Sequence, residues 1–424
     1  MSETSMNAPA IAAWKWHLVW LMFLATMINY MDRQAILQTE KQITEQFQLS
    51  NQEFGRIEKY FGVTFAFTQI FAGFLADRMS IRWLYAAALL VWSLAGFCTG
   101  LVHTVTALLI CRVILGFGES FNWPCAVGVI RRIMPRESQS LANGIFHGGA
   151  SIGGIVTPLI ALLVMNYFGW NWRWVFFIIG GGGALWAIAW WQMTAGGRAK
   201  EIDTPPAEAT SASSSKELLR TYFHLFADRR MWLVVLIGVG INITWHLPRF
   251  WLTKYLRLDL ALSPTAIQWF TAGYFIAADC GSILAGWSTR RLVRGGFSVV
   301  AARKLVMLGT GAACLMSFPA VWATTPWIKM VALFVLGAGA MGGFANYFAL
   351  SQDVSPSHTA MVLGTTGFVS WYTVAQLQEV SGSFVDVSQT YGPILLWASI
   401  GAGIAALIGL AWPADQKQKP PSPT

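Results

Sequence analysis

Asp32 and Arg33 stand side by side within an apolar stretch long enough to cross a bilayer, WKWHLVWLMFLATMINYMDRQAI, residues 14–36. A charge inside hydrocarbon costs about 2.5–3.5 kcal/mol on insertion scales, so a helix carrying two of them must turn them toward protein or an enclosed aqueous cavity. A solitary helix cannot do this; a bundle can. Composition supports a bundle. Of 424 residues, 55% are hydrophobic and only 12% charged, against about 25% charged in soluble domains. The 22 Trp and 27 Phe suit aromatic belts at two membrane interfaces and lipid-facing bulk. A net charge of +9 would suggest nucleic acid in a soluble chain. Here it reads as the cytoplasmic bias of membrane loops, and no nucleic-acid partner is expected. Cys98, Cys111, Cys125, Cys280 and Cys314 fall in apolar segments without CxxC spacing, so neither a disulfide framework nor a metal site is expected, and no cofactor is called for. No small-residue cleavage site follows a short apolar core near the start, so the first span is expected to be retained.

A span needs about 20 mostly apolar residues. On that length, helices are predicted over 14–36, 53–77, 82–101, 104–130, 139–165, 172–194, 231–253, 265–289, 303–323, 327–350, 358–381 and 391–412. The result is an all-α integral membrane protein with 12 transmembrane helices in two six-helix halves, 1–194 and 231–412. Between them, 195–230 contains TPPAEATSASSSKE, which cannot build a core and reads as a flexible cytoplasmic linker; 413–424 reads as a cytoplasmic tail. With both termini inside, the inner loops collect most of the basic residues, among them Arg78, Arg82, Arg131, Arg132, Arg136, Arg220, Arg229, Arg230, Arg290, Arg291, Arg294, Arg303 and Lys304. A register shifted by one helix inverts that asymmetry. Two six-helix halves around a midplane cavity are the usual plan of a secondary transporter. The repeat is faint in sequence, although GFLADRMSIR and AGWSTRRL follow the second and eighth spans at equivalent places.

Several polar residues inside the spans could carry the chemistry. Arg112 and Glu119 lie seven apart in the fourth span, which returns them to within about 20° of one face, roughly 10 Å apart. They form either an internal ion pair locking this helix to the first, or a carboxylate that gains and loses a proton under the influence of Arg112. Arg33 can grip a carboxylate through a planar fork that lysine lacks. Asp32 points about 100° away, free to take a proton. Glu58, Tyr60 and Tyr30 are further substrate candidates, while Arg56 and Lys59 read as snorkelling to the interface. In the seventh span Asn242, His246 and Arg249 share one stripe, with Pro248 beside them to kink the helix. Asp279, among Gly281, Ser282 and Gly286, suggests gating or structural pairing. Asn346, Trp371, Tyr372 and Gln376 are uncharged cavity candidates of the kind that hydrogen-bonds sugar hydroxyls.

The chain resembles the major facilitator superfamily. GFLADRMSIR resembles the signature G-x-x-x-D-R-x-G-R-[RK], with Gly73, Asp77, Arg78 and Arg82 matching and Ser80 and Ile81 departing from it. The resemblance implies that the four matching residues form a conformational latch at the inner face. INYMDRQ, GFGESFNWP, SLANGIFHGGASIGGIVTP, GWNWRWVFFIIGG and AADCGSILAGWSTRRLVRGG are similar to the anion:cation symporters, and within them to the hexuronate transporter branch. That similarity implies that Asp32 and Glu119 couple protons, that Arg33 contacts the substrate carboxylate and that Arg112 interacts with the coupling site. The eleventh span, GTTGFVSWYTVAQLQEVSG, departs from the small-residue pattern of uronate carriers.

The expected activity is proton-coupled symport of an organic anion, a sugar acid such as a hexuronate or aldonate, by alternating access of a monomer in the cell inner membrane. Sialate, a small dicarboxylate, an acylated amino acid and sodium coupling remain alternatives. A remoter one is an intramembrane aspartyl protease using Asp32 and Glu119. A catalytic dyad there would have to share one proton between close carboxylates, and adjacent arginines oppose that. A transport-dead sensor would call for a large soluble signalling domain.

Overall fold

The computed structural model describes residues 11–204, 220, 223–355 and 359–413. The predicted linker is therefore seen only at its ends, and the predicted tail only at its first residue. The described residues contain no strand. The first half comprises α1 (Ala13–Gln38), α2 (Glu40–Phe47), α3 (Asn51–Arg78), α4 (Ile81–Thr99), α5 (Val105–Glu119), α6 (Asn122–Ile133), α7 (Arg136–Ala161) and α8 (Arg173–Met193), with α9 (Gly197–Asp203) opening the linker. The second comprises α10 (Arg229–Leu258), α11 (Pro264–Arg294), α12 (Val299–Cys314), α13 (Ser317–Trp322), α14 (Pro326–Val354), α15 (Thr359–Ser388) and α16 (Gly392–Leu410).

Every predicted span is met by helix. The fourth breaks after Glu119 and the ninth after Cys314, and the fifth ends in a π-helical turn at Leu162–Tyr167. The amphipathic α2 was not predicted. Among the described residues, eight helices are long and apolar enough to cross a membrane. The long helices outside that set are α1, α3, α11 and α15. They carry Asp32 and Arg33, Glu58, Asp279, and Glu379 with Asp386, so polarity on their inner faces, not shortness, sets them apart.

The repeat that sequence shows faintly is plain in the packing. α1 lies on α7 as α10 lies on α15; α4 lies on α8 as α12 lies on α16; and across the halves α3 lies on α15 as α11 lies on α7. The two cross-half seams differ along their length. At the end remote from the linker they are closed. Asp386 accepts from the Asn51 backbone N–H and Nδ2 and from the Gln52 N–H, each at 2.9 Å, capping the start of α3 from the other half. Lys254 and Tyr391 donate to Asn51 Oδ1 at 2.8 and 2.9 Å. Glu40 on α2 accepts from Arg257 at 3.0 Å and lies 3.3 Å from Lys254. Arg56 and Lys59, rather than snorkelling, each donate to Glu379 at 2.8 Å.

Backbones touch there. A Cβ on Gly55 would sit 2.2 Å from the Gln378 carbonyl oxygen, and one on Gly382 would sit 2.3 Å from that of Asn51. Toward the linker end the seams part. Gly144 and Gly286 lie seven residues beyond Ser151 and Asp279, which bond across the halves, and Gly364 lies seven before Trp371 on α15. Seven residues return to the same helix face, yet a Cβ at any of these three, or at Gly73, would meet nothing within 4 Å. A groove of about 820 Å³, lined by Ser282, Gly286, Trp287, Arg290 and Arg294, runs along this end of α11. The halves are shut at one end and open at the other.

Gly55→Ala should therefore destabilise this closed state by about 1–3 kcal/mol, the cost of overpacking, whereas Gly144→Ala should be neutral or slightly stabilising in thermal unfolding of the purified protein. Equal effects of the two would contradict the asymmetry.

Candidate functional site

Glycine packing draws the charges inward. A Cβ on Gly116 would lie 2.5 Å from the Phe61 carbonyl oxygen, and one on Gly118 2.9 Å from Trp92. Only glycine lets α5 approach α3 and α4 so closely, and the approach carries Arg112 and Glu119 into the bundle, 1% and 0% exposed. The helix ends at Glu119, and the chain bends there into α6. From α1, Arg33 meets this carboxylate: Nε and Nη2 both donate to Glu119 Oε2, at 3.0 and 2.6 Å. Glu119 Oε1 has no hydrogen-bond partner. The guanidinium is ringed by Tyr30, Phe61, Phe65 and Trp371, with its carbon 4.9–5.5 Å from the ring centroids. Flat aromatic faces hold its plane in place while supplying some charge stabilisation.

Asp32 points the other way, into a space kept open by Gly96, where a Cβ would lie 2.3 Å from Asp32 Oδ1. Among the described residues both its carboxylate oxygens lack hydrogen-bond partners, as do all three guanidinium nitrogens of Arg112, although the two charges act on each other. The ion pair that sequence allowed between the first and fourth spans is thus made by Arg33 with Glu119, while Asp32 and Arg112 stay unbonded.

The second half adds a facing cluster. His246 Nδ1 lies 3.1 Å from Arg249 Nη2, and its ring packs 4.4 Å from that of Trp371, whose other neighbours include Arg33. Gln378 Nε2 donates to the His246 carbonyl at 3.3 Å, close to Pro248. Glu58 is 4% exposed and lies 3.9 Å from Arg249 Nη2. Asn346 is buried with Nδ2 unpartnered. Asp279 accepts from Ser151 Oγ at 2.6 Å across the halves.

Other sequence candidates stand apart. Asn242 bonds the Gly238 carbonyl within its own helix, Gln376 is half-buried, and Tyr60 and Tyr372 are exposed. Of the latch residues, Gly73 faces open space and Arg78 stacks on Phe74 of its own helix. Arg82 donates to Thr194 Oγ1 and, through its backbone, to Asp203 at the start of the linker. The Asp77 side chain lies outside the described residues. Sequence reasoning missed Glu40, Asn51, Lys254, Glu379 and Asp386. Their signal, a polar or charged residue toward the ends of the spans, is also that of an ordinary interfacial residue.

The model of the major facilitator superfamily matches residues 22–376. A probable L-galactonate transporter of Escherichia coli strain K12 is 28% identical, covering 88% of this chain and 83% of its own. A D-galactonate transporter of E. coli O6:H1 is 26% identical, covering 94% and 95%, and a hexuronate transporter of E. coli K12 is 23% identical, covering 88% of each. Among solved structures, a bacterial homolog of the human lysosomal transporter Spinster, inward-facing and occupied, superposes with a TM-score of 0.74 at 17% identity over 94% and 95% of the two chains. A D-xylose–proton symporter gives 0.73 at 14% identity over 95% and 99%. The chain belongs to the major facilitator superfamily: it is a multi-pass membrane transport protein, and the protease reading falls away.

The unbonded acid and the made ion pair should answer substitution differently. Asp32→Asn removes no hydrogen bond and should leave the melting temperature near that of the parent. Arg33→Ala leaves Glu119 buried without its counter-charge, at a cost of about 3–5 kcal/mol. A melting temperature that falls as far for Asp32→Asn as for Arg33→Ala would show that Asp32 is a structural anchor.

Proposed function

We propose that this superfamily member is a secondary active symporter that moves an organic anion, a sugar acid of the aldonate or hexuronate type, together with protons by alternating access. The observation that carries the reading is the buried cluster of Asp32, Arg33, Arg112 and Glu119, with Arg33 engaged by Glu119 and Arg112 unbonded. An anion carrier needs a guanidinium whose counter-ion can be neutralised. When Glu119 takes a proton it releases Arg33 for the substrate carboxylate, and when the substrate leaves, the ion pair re-forms and the proton is expelled. The names of the curated relatives support a sugar acid as the cargo. Asn346 and Trp371 stand on the second-half side for its hydroxyls, with Tyr30 beside Arg33.

The linker end, which bears Arg290, Arg294, Arg303 and Lys304, is the cytoplasmic end by the bias of basic residues. The open end is then cytoplasmic, and the chain faces inward in the cell inner membrane. One chain contains the whole cluster, so a monomer suffices.

Glu119→Gln tests the coupling. The amide mimics the protonated acid and can complete the loaded transition, but it has no proton to release. In proteoliposomes the variant should exchange internal for external galactonate or galacturonate while failing to accumulate either under an imposed proton gradient. Retained gradient-driven accumulation would remove Glu119 from the coupling path, and uptake driven only by sodium would replace the proton in the scheme.

A further inference from the structure

Like Asp32, Glu58 is a buried acid of the central cluster that seals no hydrogen-bonded pair. It is 4% exposed and makes no hydrogen bond among the described residues. Its nearest cationic group is Arg249 Nη2 at 3.9 Å, beyond hydrogen-bond reach. Other acid–arginine contacts in this protein are tighter: Arg33 reaches Glu119 at 2.6 Å, and Arg257 reaches both oxygens of Glu40 at 3.0 Å. A carboxylate meant to stay with its arginine makes that kind of contact.

Glu58 lies against Arg249 and also acts electrostatically on Arg33 and Arg112. Two of these are short of partners: Arg112 has no hydrogen bond at any of its nitrogens, and Arg249 has none at Nε. The three arginines are matched in number by Asp32, Glu58 and Glu119, yet only one pair is fully made.

We propose that Glu58 is a resident counter-anion: its carboxylate holds the place of a substrate acid group among Arg112, Arg249 and Arg33 while the site is empty, and an incoming carboxylate displaces it. This rests on the reading of the cargo as an organic acid and adds a competitor built into the site. Without Glu58, Arg249 would have no carboxylate within 4 Å among the described residues, a costly state for a buried guanidinium. With Glu58 hydrogen-bonded to an arginine, the substrate would have to break that bond. A carboxylate close enough to balance charge, but too far away to bond, satisfies both requirements. The incoming acid gains hydrogen bonds that Glu58 does not make, so it can win the exchange.

The proposal predicts a gain where a substrate-contacting residue would give a loss. Glu58→Gln, purified and assayed by equilibrium binding, should bind galactonate or galacturonate about tenfold tighter than the parent, because the internal competitor is gone. Glu58→Asp, with its carboxylate drawn back by one methylene, should fall between. Acetate is too small to be the cargo and restores only the missing carboxylate. It should raise the melting temperature of Glu58→Ala and leave the parent unmoved, with chloride at equal ionic strength as the control.

Folded Glu58→Gln that binds the sugar acids equally or more weakly overturns the proposal, as does Glu58→Ala indifferent to acetate. If Glu58→Gln does not fold, Glu58→Asp and the acetate arm decide. If the parent binds no sugar acid at all, the cargo assignment fails, while the acetate arm still tests Glu58 independently.

Discussion

The Arg33–Glu119 pair is the interaction on which the rest of the arrangement depends. Both groups are removed from water and lie at the depth where hydrocarbon surrounds the bundle, so neither can be left charged alone. Pairing them ties a side chain of α1 to the end of α5. The tie is possible because Gly116 and Gly118 bring α5 within backbone contact of α3 and α4. The same pairing leaves Asp32 and Arg112 in the interior without partners, and that is what makes the cluster more than a structural clamp. A fully satisfied network would be rigid. One with a single made pair and two unbonded charges can be rearranged by a proton or an anion for little more than the cost of exchanging partners.

The bonds that close the far end are of another kind. Asp386 caps amides at the start of α3, and Lys254, Tyr391, Arg257 and Glu379 reach groups at or near helix ends. The first amides of any helix lack intrahelical partners and accept water as readily as a carboxylate. Opening that end therefore trades each bond for hydration, at a net cost of about 0.5–1.5 kcal/mol apiece. The midplane pair has no such substitute. The closed end can open without a large barrier, whereas the central cluster changes partners only when a ligand or proton supplies a replacement. Transport by alternating access requires that ordering.

Much of this was legible in sequence, for a physical reason. In a bilayer each apolar run of sufficient length becomes a helix, because backbone polar groups there have no other partner, and so the spans emerged with ends shifted by a few residues. Charges inside those runs must face inward, and on that ground Asp32, Arg33, Arg112 and Glu119 could be assigned to one cluster. What sequence did not reveal lies at the ends of helices. α2 has a composition, EKQITEQF, that suits any surface segment, and only the fold shows Glu40 buried against α10. The 100° separation of Asp32 from Arg33 was readable, but which arginine takes Glu119 was not, since helical spacing fixes a face and not a partner across the bundle. Arg56 and Lys59 were misread for the same reason: a snorkelling cation and one paired across a seam have identical sequence signatures.

The two cross-half seams are equivalent by the internal repeat yet unequal in chemistry, and the inequality suggests how the halves move. α3 and α15 are stitched along most of their contact, by Asp386, by Glu379 with two cations, and by Phe61, Phe65 and Phe67 against α15 aromatics. α7 and α11 share the Ser151–Asp279 hydrogen bond and the seating of Phe275 on Gly154, while Gly148, Gly149 and Gly153 of the same run, GGASIGG, face α1 of their own half. A seam with few interlocking groups slides at low cost, whereas the aromatic stretch of α3–α15 around Phe61, Phe65 and Trp371 resists sliding; the ionic stretch beside it is the part that exchanges its bonds for water when the closed end opens. Motion of one half over the other would then turn about the α3–α15 contact and be taken up by sliding at α7–α11. Phe61, Phe65 and Trp371, which frame Arg33, belong to the stiffer seam. The guanidinium is thus framed by the part of the interface that changes least.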